Sequence, residues 1–147
     1  MVPVATTLYS RDILRLAASI PHLGRLAEAQ ASVERASVVC GSRVVVDLRT
    51  DEVGRVTALG QEVTACALGQ ASAALLGKHV IGRGAAEIAA ARDALAGFLA
   101  GERTDPGDWP GLDVFADARR FTARHSAILL AFDAAAEAAA KAAARRD

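Results

Sequence analysis

Val63-Thr64-Ala65-Cys66-Ala67-Leu68-Gly69-Gln70-Ala71-Ser72-Ala73-Ala74-Leu75 is where this chain changes its period. Up to Ala65 the residues alternate and include β-branched types, which predicts a strand over Arg55 to Ala65. From Ala67 to Leu76 the residues are small and aliphatic with helical spacing. The spacing predicts a helix there, with Gly77 as its C-terminal cap. Cys66 stands at the change, at a strand end and a helix start. A thiolate there faces unpaired amides and the positive end of a helix dipole, so Cys66 is expected to be the more reactive thiol.

Working back from this point, Arg43 to Leu48 also alternates. Val44, Val46 and Leu48 share one face, and Arg43 and Asp47 the other. Thr50-Asp51-Glu52-Val53-Gly54 reads as a hairpin loop closed by Gly. Ser32 to Val39 is rich in β-branched and short polar residues and predicts a further strand. Three strands joined this closely make an antiparallel meander. The second cysteine, Cys40, lies between the first two strands, in Val38-Val39-Cys40-Gly41-Ser42. Before the sheet, Leu8 to Ile20 fits an amphipathic helix ended by Pro21, and Pro21-His22-Leu23-Gly24 a turn.

Beyond Leu76, Ile88, Ala91, Leu95, Phe98 and Leu99 form one stripe of a helix over Ala85 to Ala100, stopped by Gly101. Asp105-Pro106-Gly107 marks a polar loop. Asp108-Trp109-Pro110 opens a short helix to about Arg119. A last helix starts near Thr122 with Ile128, Leu129 and Phe132 inward. Its alanine-rich end, Ala134 to Asp147, has high helix propensity but little to bury, so it is expected to fray. The predicted class is α+β: a three-stranded antiparallel sheet packed on one face by about five helices. The whole of residues 1–147 reads as one domain, with 136–147 as a helical tail.

The composition narrows the function. Formal net charge is zero, and 52% of the 147 residues are hydrophobic. Bulk charge therefore points to neither nucleic acid nor an anionic membrane. No apolar run is long enough to span a bilayer, and no export signal is evident near the start. Two cysteines in such a chain favour a reduced, cytoplasmic setting over a disulfide. Arginine in place of lysine, with abundant alanine, carries the stamp of a GC-rich bacterial genome. There is no phosphate loop, no Gly-x-Ser-x-Gly and no His-Glu-x-x-His. The expectation is a protein that is not an enzyme.

The order of elements and the two cysteine motifs resemble the iron–sulfur cluster assembly scaffold family of NifU N-terminal, IscU and SufU proteins. Leu8-Tyr9 and Pro21-His22-Leu23-Gly24 are similar to the family's opening helix and its Asn-Pro-Arg-Asn-x-Gly turn. Cys40-Gly41-Ser42-Arg43 resembles its Cys-Gly-Asp-Arg, and Cys66 with the Ser/Ala-rich run after it resembles its second cysteine. The loop from Glu102 to Arg120 and Phe121-Thr122-Ala123-Arg124 look like the SufU branch, with its insertion and its Phe-Pro-Ala-Arg. The resemblance covers about residues 8 to 136. It implies a site of three cysteines and one aspartate. Here Ser42 stands at the aspartate position and Ala127 at the third cysteine, so two of four ligands are absent.

What the resemblance implies is a scaffold that holds or relays sulfur, iron or a cluster through Cys40 and Cys66. A cysteine desulfurase or other assembly proteins would be its partners, and an iron–sulfur cluster or zinc its cargo, bound weakly or not at all by the isolated protein. Arg124 would pair with a thiolate or persulfide, or sit as a surface charge. His125 is the candidate third metal ligand, since imidazole suits zinc and iron. Its alternative is a solvated histidine in the last helix's first turn. His22 and His79 read as solvated. Two other functions stay open: a metal-free module docking to a desulfurase or assembly complex, and a thiol-redox protein.

Overall fold

The computed structural model describes residues 9–145. Helix α1 spans Arg11–Ala17, with Ser10 at its N-cap accepting the amide of Ile13 at 3.3 Å. The expected start at Leu8 lies outside the described residues. Three strands follow: β1 Ala31–Ala36, β2 Arg43–Thr50 and β3 Val56–Thr64, antiparallel in the order β1-β2-β3. Helices α2 Ala67–His79 and α3 Ala85–Leu99 come next. Two 3-10 segments, Leu112–Arg120 and Thr122–Arg124, lead into the long α4, His125–Arg145. The class is α+β with a three-stranded antiparallel sheet and five helices, counting the Leu112–Arg120 segment, as the sequence predicts.

The alternation in β2 works as read. Val44, Val46 and Leu48 enter one core with Ala31 and Val33 of β1, Leu59 of β3, Leu68 and Leu76 of α2, and Ile128 and Phe132 of α4. Burying this many aliphatic side chains is the main driving force for the fold. The predicted stripe of α3 is buried in full, at Ile88, Ala91, Leu95, Phe98 and Leu99. Trp109 donates its indole N–H to the Leu75 carbonyl at 2.9 Å and meets Phe132 edge-on, which fixes the preceding loop against α2.

The opposite face of the sheet is not open. Asp47 is 1% exposed. Its carboxylate accepts from Arg25 Nε at 2.7 Å, Arg25 Nη2 at 3.1 Å, the Leu26 amide at 3.0 Å and the Ser32 hydroxyl. Gly60, opposite Asp47 on β3, makes the approach possible. A Cβ there would stand 2.7 Å from the Gly24 carbonyl oxygen and 2.9 Å from the Leu26 amide. Only the bare face of a glycine lets that backbone lie across the strand.

Three expectations are corrected. Gly77 does not cap α2, which runs to His79. Pro21 and the Gln61 amide nitrogen occupy the space of its missing side chain, at 2.8 and 3.0 Å from an ideal Cβ. His79 is half-buried and meets Trp109 edge-on, with its pKa lowered by burial and by the charges of Arg83 and Lys78. The alanine-rich end does have something to bury. Ala134, Ala135, Ala138, Ala139 and Ala142 are all at most 1% exposed, and α4 lies along β1 and β2. Small side chains allow close approach there. Ala138→Leu is therefore expected to cost about 1–3 kcal/mol in urea unfolding through overpacking. Ala140→Leu, on the exposed side, should stay within about 0.5 kcal/mol. Equal effects would contradict a packed tail.

Candidate functional site

The hairpin between β1 and β2 carries the first thiol. Ala36 pairs with Arg43, and the loop is closed by the Ser37 amide on the Ser42 carbonyl at 2.8 Å. Gly41 takes φ +73, a left-handed turn position natural for glycine. This lifts Cys40 to the exposed tip while Ser37 and Ser42 on either side are buried. Val38 and Val39, just before it, are 100% and 68% exposed. The second thiol, Cys66, is the N-cap residue of α2 and is half-buried; its sulfur makes no capping hydrogen bond. Register brings the two segments together. Arg43, the first residue of β2, pairs with Thr64, the last of β3, so Cys40 and Cys66 leave the same end of the sheet.

Helix α4 starts at that end too. A Cβ on Gly69, in the first turn of α2, would meet the Ala127 carbonyl oxygen at 3.2 Å and the Ala65 side chain at 2.7 Å. Position 127 thus lies against the Cys66 segment. Its neighbour Ser126 reaches the Cys40 loop, with its hydroxyl 2.7 Å from that of Ser37.

The polar surroundings of Cys40 favour its thiolate. Its sulfur is 3.0 Å from the Ser42 hydroxyl. Hydrogen bonding from the Ser37 side chain first, then from Ser42, holds the thiol below its ordinary value. Partial burial opposes this, and the positive charge of Arg124 adds to it. The sequence drew attention to the helix start at Cys66; the structure adds an activating environment at Cys40.

His125 is placed differently from the sequence expectation. It is the first residue of α4, and its Nε2 lies 3.0 Å from both the Ala118 and the Arg119 carbonyl oxygens. That nitrogen therefore carries the proton and donates to the end of the 3-10 segment. Ligation through it would break both contacts. Among the described residues, no group of three or more His, Cys, Asp or Glu side chains is placed to hold a metal ion. Two thiols with hydroxyl neighbours do not fit a closed zinc site, which needs four thiolate, imidazole or carboxylate donors. What the arrangement can do is present one exposed, hydrogen-bonded thiol at the end of the sheet from which the second thiol also leaves. Ser37 and Ser126 were not legible as part of it: they lie 89 residues apart, and serine spacing carries no signal.

The three-stranded sheet and its helices form a small α+β fold that presents two thiols at one sheet end. No family model matches the chain. A crystal structure of the N-terminal part of a nitrogen-fixing NifU-like protein from Brucella abortus superposes with a TM-score of 0.90 at 36% identity, covering 99% of this chain and 100% of that one. The iron–sulfur cluster assembly scaffold protein IscU of Thermotoga maritima is 28% identical over 134 residues, 91% of this chain and 94% of its own length. A SUF-system cluster assembly scaffold from Fervidobacterium islandicum shares the fold, with a TM-score of 0.84 at 20% identity over 92% of this chain and 98% of that one. The chain belongs to the family of NifU-like, IscU and SufU iron–sulfur cluster assembly scaffold proteins.

Proposed function

We propose that the protein is a cluster assembly scaffold that takes up sulfur on Cys40, with Cys66 beside it as the second thiol of the site. Membership of the family supports the role. The observation that carries the assignment to Cys40 is its exposed position at the hairpin tip, with its sulfur 3.0 Å from the hydroxyl of the buried Ser42. The donor is a cysteine desulfurase bearing a persulfide. The Cys40 thiolate attacks the outer sulfur of that persulfide, a new S–S bond forms, and the donor's S–S bond breaks. The departing donor thiolate takes the electron pair, so no added oxidant is needed. Arg124 offsets the negative charge on the acceptor. The chain acts as an acceptor and carrier, not as an enzyme, in a reducing cytoplasmic setting where both cysteines are free. Among the described residues no helix is long and apolar enough to cross a membrane.

Iron or a cluster is cargo at this site. The two thiols supply only part of a coordination shell, and the remaining ligands come from the partner. Reduced protein incubated with a cysteine desulfurase and cysteine, then desalted, is expected to retain about one transferable sulfur per chain. Cys40→Ala should retain little, and Cys66→Ala most of it. Equal retention by wild type and Cys40→Ala would contradict the reading.

A further inference from the structure

Strand β1 is an edge strand, since the sheet runs β1-β2-β3. The Ser37 amide bonds the Ser42 carbonyl in register with the β1–β2 ladder, which fixes the parity of the pairing. In an antiparallel pair, residues that exchange hydrogen bonds alternate with residues that do not. Val33 and Arg35 therefore turn their N–H and C=O groups to β2, and Ser32, Glu34 and Ala36 turn theirs away. All three are exposed. Among the described residues no backbone group bonds them from outside the sheet. The opposite edge is covered: on β3 the Gln61 amide donates to the His22 carbonyl at 2.9 Å, and its carbonyl accepts from the Gly24 amide at 2.8 Å. Edge strands are commonly blunted by Pro or Lys, and Ala31–Ala36 has neither. Beside the open edge lies a groove of about 510 Å³, lined by Ala29, Gln30, Ala31 and Ser32 and by Lys141 and Ala144 of α4. Lys141 is the only charge among these. Arg35 and Lys141 share the single carboxylate of Glu137, so this side of the edge carries one positive charge in excess.

We propose that the β1 edge is a docking site for an extended, carboxylate-bearing segment of a partner protein, which adds to the sheet as a fourth strand. Its backbone pairs with Ser32, Glu34 and Ala36, and its side chains on one face lie in the groove against Lys141. Main-chain pairing supplies the affinity and the groove the selectivity. β1 runs directly into the hairpin that carries Cys40, so a chain paired along it ends beside the exposed thiol. Charge argues against a second copy of this chain as the occupant. Two-fold pairing of two β1 strands keeps both α4 helices on one face of the joined sheet and so opposes two surplus positive charges, whereas an acidic segment neutralises one. The inference stands on the edge and the groove and does not depend on Cys40 taking up sulfur.

The test is amide hydrogen exchange, read by NMR on isotope-labelled protein with a millimolar excess of the peptide acetyl-Thr-Val-Glu-Val-Glu-Val-Thr-amide, and of the same peptide with Lys in place of Glu. The Ser32, Glu34 and Ala36 amides should exchange freely in the protein alone. The acidic peptide is expected to slow all three about tenfold, while Val33 and Arg35, already bonded to β2, change little. The basic peptide should bind about fivefold more weakly, and Lys141→Glu should reverse that preference. Glu34→Pro removes one outward N–H without breaking the β1–β2 ladder, and should abolish the added protection at Ser32 and Ala36. Glu34→Ala keeps the N–H and should bind at least as well as wild type. If Glu34→Pro fails to fold, the reversal in Lys141→Glu decides. No added protection with either peptide, protection that survives Glu34→Pro, or equal binding of the two peptides would each overturn the proposal. Protection that grows with protein concentration in the absence of peptide would overturn it in favour of a second copy on the edge. None of these outcomes bears on sulfur uptake at Cys40.

Discussion

The double change Ser42→Asp with Ala127→Cys is expected to convert the protein into a tight zinc binder with one metal per chain. Position 42 already stands at the thiol, its side-chain oxygen 3.0 Å from the Cys40 sulfur. Position 127 lies against Gly69, one turn into the helix that Cys66 begins. A thiolate and a carboxylate added there would join the two native thiols as a four-donor set. A closed tetrahedral site of thiolate-rich donors is the usual structural zinc geometry. An outer-shell partner alone contributes roughly 10–100-fold to metal affinity, so two new direct ligands should exceed that range. Ala127→Cys alone should give the larger share, since thiolate is the better zinc ligand. Chelator competition measures it. Wild type that already holds one zinc per chain tightly would contradict the incomplete site. A double variant without gain would contradict the placement of position 127.

The second large effect lies on the far face of the sheet. Asp47→Ala is expected to lower stability by about 2–4 kcal/mol, since it removes the acceptor for Arg25, the Leu26 amide and the Ser32 hydroxyl together. Burial pushes the Asp47 carboxyl up, but the Arg25 and Ser32 hydrogen bonds, the Leu26 amide and the Arg25 charge outweigh it and hold the pKa below the ordinary value. The sign follows. A carboxyl with a depressed folded pKa adds stability above its unfolded value of about 3.9, and that stability is lost as pH falls through the folded pKa. The gap in urea midpoint between wild type and Asp47→Ala should be full at neutral pH and narrow below about pH 4. A gap that is constant down to pH 2, or that widens in acid, would contradict this.

The legible parts of the fold were those with a period. The alternation of β2, the Gly54 turn at φ +86 and the α3 stripe all appear where the residues place them. Polyalanine has no period, so the sequence does not show that α4 lies flat on the sheet. Gly77 signals a helix end in isolation, but here its bare face admits Pro21. Asp47 was assigned to the correct face, yet nothing in β2 reveals that Gly24 to Leu26 crosses it. At the site, the two cysteines were legible because each sits where one element turns into another. For His125 the sequence left the facing open; the structure directs its Nε2 to the carbonyls of Ala118 and Arg119, contacts that spacing alone did not show. The Ser37–Ser126 contact joins distant parts of the chain and only the fold exposes it.

The central claim is that Cys40 is the sulfur acceptor. The mass of the Cys40 peptide, taken after treatment with a cysteine desulfurase and cysteine and trapping by alkylation, tests it most directly. The prediction is that this peptide gains one sulfur atom while the Cys66 peptide does not, and that dithiothreitol removes the gain. A Cys40 peptide of unchanged mass under conditions that load a NifU-like relative, or sulfur found on Cys66 instead, would contradict it.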